Sequence, residues 1–234
     1  MKVASATIKL ILFFFVCLPV LADSSSVNSA SPSSLVIHSG SISFGLEAGI
    51  DFSNFIGQSG KSNSSLNLVW DGYQINAGFD GGIFTDWYFL NDFGIEFEAT
   101  YVQKGSNAKV TSSGDVNNSV LSLDYFEFFL GPTYHIANFA GGRISLFAGP
   151  TVGILAASQI HLYDSNGFLD ASKNNPSDYN SADYGLNLGV EWNLNQFFLR
   201  AKYQLGLVDV PKSSNTAFLP VQNQILGLTT GYIF

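Results

Sequence analysis

Residues 222–234 read Gln-Asn-Gln-Ile-Leu-Gly-Leu-Thr-Thr-Gly-Tyr-Ile-Phe. In an extended chain Leu226, Leu228, Thr230, Tyr232 and Phe234 point to one face. Asn223, Gly227, Thr229 and Gly231 point to the other, joined there by Ile225 and Ile233. A repeat of two is the mark of a strand. A last strand left as a free edge would template aggregation through its unpaired N–H and C=O groups. It has to pair with an earlier strand, and a sheet whose end pairs with its beginning is a barrel.

Working outward, seven further runs alternate in the same way, giving eight strands in all. They cover about Ser41–Phe52, Tyr73–Asp86, Phe93–Gln103, Leu121–Ile136, Arg143–Ala157, Asp183–Leu194 and Phe197–Val208. The third is the clearest, with Phe93, Ile95, Phe97, Ala99 and Tyr101 set against Gly94, Glu96, Glu98 and Thr100. The connections alternate too. Tight turns fall near Tyr88–Asp92, Ala137–Gly142 and Asn193–Gln196. Long polar loops fall at about Ser53–Gly72, Lys104–Val120, Ser158–Ala182 and Asp209–Val221. Short turns on one rim, long loops on the other and an even strand count fit the plan of an outer-membrane barrel.

Alternation does not say which face meets water, but size does. Eight strands enclose a space that side chains just fill. The apolar face carries too many Phe, Tyr, Trp, Leu and Ile side chains to fit inside. The opposite face is Gly, Ser, Thr, Asn and carboxylates, which do fit. Aromatic residues gather at the short-turn rim, namely Trp87, Tyr88, Tyr134, Trp192, Phe197, Tyr232 and Phe234. They suit the interfacial girdle of a membrane barrel. The expected fold is all-β, an eight-stranded antiparallel up-and-down transmembrane barrel over residues 41–234.

The start of the chain reads as export. Lys2 and Lys9 precede an apolar core, Leu10–Leu18, and Val20-Leu21-Ala22 offers a cleavage site before Asp23. That core is shorter than the roughly 20 residues of a spanning helix. Residues 1–22 are read as a signal peptide and 23–40, rich in Ser, as a flexible periplasmic lead-in. Val16 before Cys17 argues against a lipid-attachment site. Removing the signal removes the single cysteine and two of the ten basic residues, leaving eight against eighteen acidic, a net charge near −10. Nucleic acid is excluded as a partner, because no basic patch exists to neutralise phosphates.

Several stretches carry a family resemblance. These are Gly78-Phe79-Asp80-Gly81-Gly82-Ile83-Phe84 and Glu98-Ala99-Thr100-Tyr101-Val102-Gln103-Lys104-Gly105. Tyr125-Phe126-Glu127, Phe147-Ala148-Gly149-Pro150, Asp183-Tyr184-Gly185-Leu186, and Tyr203 with Gly206-Leu207 continue the series. In this order they resemble the small Gram-negative outer-membrane β-barrel family that includes PorT-like proteins. The resemblance runs from about Ser41 to Phe234. It departs at Lys202, where the family more often has Arg before the Tyr. It implies an outer-membrane barrel and little about activity. The aromatic ending, Tyr232 and Phe234, resembles the signal that barrel assembly machinery reads.

The inward face should gather Glu47, Asp80, Glu96, Glu98, Glu127 and Glu191 against Arg200 and Lys202, with Arg143 at the rim. Charges confined in so narrow a space must pair. One reading is a salt-bridged plug; another is a narrow cation-preferring passage. No metal cluster, cofactor motif or nucleophile elbow is present in the sequence, and catalysis is not expected. His161 with Ser158 or Asp164 is the one arrangement that would mimic a lipid-modifying enzyme. The expected role is structural or surface-interacting, with outer-membrane lipid, the assembly machinery and an extracellular ligand or host surface as partners. The expected state is a monomer.

Overall fold

The computed structural model describes residues 40–61, 69–112, 115–163, 169–173, 176–212 and 219–234. The signal peptide, the lead-in with His38, and Asp164 lie outside the described residues. Eight long strands form the barrel: β1 (Ser41–Gly57), β2 (Asn76–Tyr88), β3 (Phe93–Ser112), β4 (Asp115–Phe139), β5 (Gly142–Tyr163), β6 (Ala182–Leu194), β7 (Phe197–Gly206) and β8 (Val221–Ile233). Each pairs antiparallel with the next. β8 returns to β1 in a long register from Gly45↔Ile233 to Gly57↔Val221, which closes the ring and leaves neither strand as an edge.

The turns follow from backbone chemistry. Between β4 and β5 two residues suffice, Ala140 and Gly141, both at positive φ (50° and 80°). Such a pair matches the right-handed twist of the strands it joins. On the other rim the strands run further than the sequence pattern indicates. β3 and β4 stay paired from Phe93↔Tyr134 to Ser112↔Asp115, so most of the expected loop Lys104–Val120 is a hairpin. Its polar side chains break the apolar alternation without breaking the ladder. Gly105 sits in this hairpin at φ 147°, and a Cβ there would lie 1.9 Å from the Leu121 carbonyl oxygen.

Short strands Gly60–Lys61, Val69–Gln74 and Leu169–Lys173 widen this extension. The expected loops at Ser158–Ala182 and Asp209–Val221 are not simply displayed either. Tyr179, Val210, Leu219 and Val221 are buried over the mouth with Phe55, Leu121, Leu123 and Tyr125. A bridge between Tyr179 and Pro211 ties the two segments.

The faces are inverted relative to a soluble barrel. Phe44, Phe79, Ile83, Phe126, Leu130, Leu186, Leu188 and Phe197 are all about half exposed on the outside. On β4 this apolar surface runs from Asp124 to Tyr134. Ten residues at ~3.3 Å each, tilted by ~40°, span about 25 Å, the height of a barrel's lipid-facing band. Its outer limit is marked by outward polar pairs, Gln103 Nε2 donating to Asp124 (3.3 Å) and Gln224 Nε2 to the Tyr203 hydroxyl (3.0 Å). Its inner limit is aromatic: Trp87 on Phe89, Phe93 on Tyr134, and Phe197 on Tyr232 on Phe234. Tyr88 is a correction to the expected girdle. It is only 3% exposed, because it shares the inward phase of Phe84 and Asp86.

Candidate functional site

The lumen is stacked in layers, legible along β7, whose inward residues run Phe198, Arg200, Lys202 and Gln204. At the short-turn end Phe84, Phe198 and Ile233 form an apolar cluster, and Phe129 meets Phe147 edge-on nearby. The face that reads as Gly, Ser, Thr, Asn and carboxylates thus carries rings as well, and they fit because glycines stand opposite them. A Cβ on Gly45 would strike Phe84, on Gly189 Phe147, and on Gly231 Phe198. Each ring shares its strand's polar phase, which is the signal that locates it.

Above this floor lies Arg200, 1% exposed. Its Nε donates to Glu191 Oε2 (2.8 Å), its Nη1 to Glu47 (3.2 Å) and to Glu98, and its Nη2 pairs with Glu96 (2.5 Å) and Glu191. Asn193 Nδ2 holds the other Glu191 oxygen (2.6 Å). The guanidinium also faces the rings of Phe147 (4.8 Å), Phe198 (5.0 Å) and Phe84 (5.7 Å). A planar guanidinium with five donors suits this many acceptors where an ammonium would not.

The next layer is Lys202 paired with Asp80, whose Oδ2 also accepts from Thr229 (3.2 Å). Higher still, Lys104, wholly buried, donates to Glu127 (2.5 Å) and Asp183 (3.0 Å) and sits 5.0 Å from the Tyr125 ring centre. Gln204 and Asn223 complete the shells of Glu127 and Asp183.

Glu47, Asp80, Glu96, Glu98, Glu127, Glu191, Arg200 and Lys202 therefore all lie in the lumen and fall into three ion-pair groups. Arg143 stays at the rim, donating to the Asn91 carbonyl (3.1 Å). Sequence reasoning missed Lys104, Asp51, Asp86 and Asp183. Lys104 opens the expected loop Lys104–Val120, although it shares the inward phase of Glu98 and Thr100. Nine buried carboxyl groups thus face three buried cations among the described residues, six more acidic groups than basic.

The mouth is closed by the apolar layer around Tyr179 and Val210, which leaves a cavity of only about 20 Å³ there. Burial pushes the hydroxyl of Tyr73 up to about 12 and that of Tyr179 higher still, so this layer carries no charge. Of the arrangement that would mimic a lipid-modifying enzyme, only Ser158 and His161 lie among the described residues, and they do not meet. Ser158 and His161 are both on β5 three residues apart, on opposite faces, with Ser158 turned inward and buried. His135 Nδ1 meets the Ile144 carbonyl oxygen at 3.0 Å.

A family described as "Outer membrane protein beta-barrel domain" matches residues 23–211. Among solved structures, Ail, the attachment invasion locus protein of Yersinia pestis, is 16% identical, with a TM-score of 0.44 over 84% of this chain and 100% of that one. Neisserial surface protein A is 15% identical, with a TM-score of 0.43 over 83% of this chain and 99% of that one. OprG from Pseudomonas aeruginosa is 12% identical, with a TM-score of 0.40 over 84% and 97%. No curated protein matches the chain. Likenesses this distant say nothing of activity.

Proposed function

The chain belongs to the outer membrane protein beta-barrel domain family, and from that premise we propose that it works as a closed-lumen barrel whose outer rim is its functional part. In this reading residues 1–22 direct export, and Tyr232 and Phe234 are read by the assembly machinery. The mature chain sits in outer-membrane lipid as a monomer without catalytic activity. Its role is structural or surface-interacting, toward an extracellular ligand or a host surface.

One observation carries the reading: the three ion-pair groups are buried in the lumen, with an apolar layer over the outer mouth and the rings of Phe84 and Phe198 toward the short-turn end. What remains accessible is the extension, in which β3, β4 and β5 continue past the lipid band with flanking short strands. A narrow cation-preferring pore is the second reading. The acid excess of the lumen favours it, but both apolar layers would have to part.

The test compares cells carrying the full chain with cells carrying one shortened between Asn107 and Asn118. Binding to a panel of extracellular-matrix proteins and uptake of small cationic solutes are measured in parallel. The surface reading predicts lost binding and unchanged uptake. Unchanged binding with altered uptake would replace it with the pore.

A further inference from the structure

Most lumen carboxylates have a cation or a hydrogen-bond donor on them. Asp51 does not. It projects inward from β1, is 0% exposed, and neither of its oxygens has a hydrogen-bond partner. A bare carboxylate in a closed interior is among the costliest groups a fold can hold. Across from it, Asp80 keeps one oxygen, Oδ1, equally without a partner, while Oδ2 is taken by Lys202 and Thr229.

The backbone makes room for both. Asp51 is in register with Gly227, where a Cβ would stand 2.5 Å from Asp51 Oδ1 and 2.7 Å from Lys202 Cε. Asp80 is in register with Gly49, where a Cβ would stand 2.3 Å from Asp80 Oδ1, 2.6 Å from the Thr229 hydroxyl and 2.8 Å from the Leu228 carbonyl oxygen. Two carboxylates, one hydroxyl and a backbone carbonyl thus share one stretch of the barrel wall with the Lys202 ammonium as their single cation.

We propose that this cluster of Asp51, Asp80 and Thr229 beside Lys202 binds one small monovalent cation, a sodium ion or a proton. Two carboxylates against one ammonium leave one negative charge, which one such cation cancels. Hard oxygen donors of this kind suit sodium, and a proton would bridge or neutralise the bare acid. A caged divalent or transition metal is the poorer fit. Among the described residues no three His, Cys, Asp or Glu side chains converge as a metal site would need. The other charged groups that act on Asp51 are Glu127 and Lys104, from β4 and β3, and they are occupied with each other. Asp51, Asp80 and Thr229 are all buried, so the cation is taken up as the barrel folds and exchanges slowly.

The experiment is thermal unfolding of the refolded full-length chain and of Asp51→Asn, read by loss of β-sheet circular dichroism. One series replaces choline chloride with sodium chloride at fixed ionic strength and pH. A second varies pH from 6 to 9 in choline chloride alone. Sodium as the ligand predicts a Tm that rises by about 2 °C or more with sodium for the parent and stays flat for Asp51→Asn. A proton predicts no sodium effect, but a parent Tm that falls with rising pH more steeply than that of Asp51→Asn. If the variant fails to fold, Thr229→Val replaces it in the sodium series, and the parent's pH series is compared with that of Asp80→Asn. A parent Tm indifferent to sodium, with a pH response no different from the variant's, overturns the proposal.

Discussion

Arg200 shows how one side chain can decide the state of an interior. Four carboxylates, Glu47, Glu96, Glu98 and Glu191, lean on a single guanidinium that is itself packed among Phe84, Phe147 and Phe198. Removing one partner of a buried pair costs far more than the pair contributes, because the others are left charged and dry. Arg200→Met keeps the bulk and removes the charge. It is expected to destabilise the refolded barrel by about 3–5 kcal/mol, read as a shift in the urea midpoint. A shift within about 0.5 kcal/mol would mean that the four carboxylates do not depend on it.

Among the strands, the outward residues of β4 illustrate what lipid demands. Phe128 stands near the middle of the band between Asp124 and Tyr134 and stacks beside Phe97. Phe128→Arg should cost about 2–4 kcal/mol in lipid vesicles, and the same change at the rim residue Tyr134 much less. Equal costs at both positions would contradict the placement of the band. Strand parity is also what the sequence made readable. The alternation in 222–234 and in Phe93–Gln103 located the lumen charges and the lipid face from residue type alone. The extent of the strands was not readable. Beyond Lys104 and Ser158 the alternation inverts, with Ala108, Val110 and Ile160 turned inward and polar residues outward, while the backbone ladder continues to Ser112 and Tyr163. The inward rings escaped notice because an aromatic reads as lipid-facing until its phase is compared with its neighbours. The wall of glycines opposite them, Gly45, Gly189 and Gly231, is a tertiary fact that no single strand states.

Taken whole, the molecule is an eight-strand ring with its polar groups turned inward and locked. Its ion pairs lie across strands distant in sequence, Arg200 with Glu47 and Lys104 with Asp183 among them, so they form only once the ring closes. Closure by β1 and β8, the layered lumen and the extended outer rim support the proposed reading of a membrane-spanning barrel that presents a surface and passes nothing. The most direct test is single-channel recording of the refolded protein in a planar bilayer, with insertion verified by protease protection of the barrel. The account predicts no discrete current steps in neutral salt from protein shown to be inserted. Reproducible, cation-selective steps from the unaltered chain would contradict the sealed lumen and make its carboxylates the walls of a working pore.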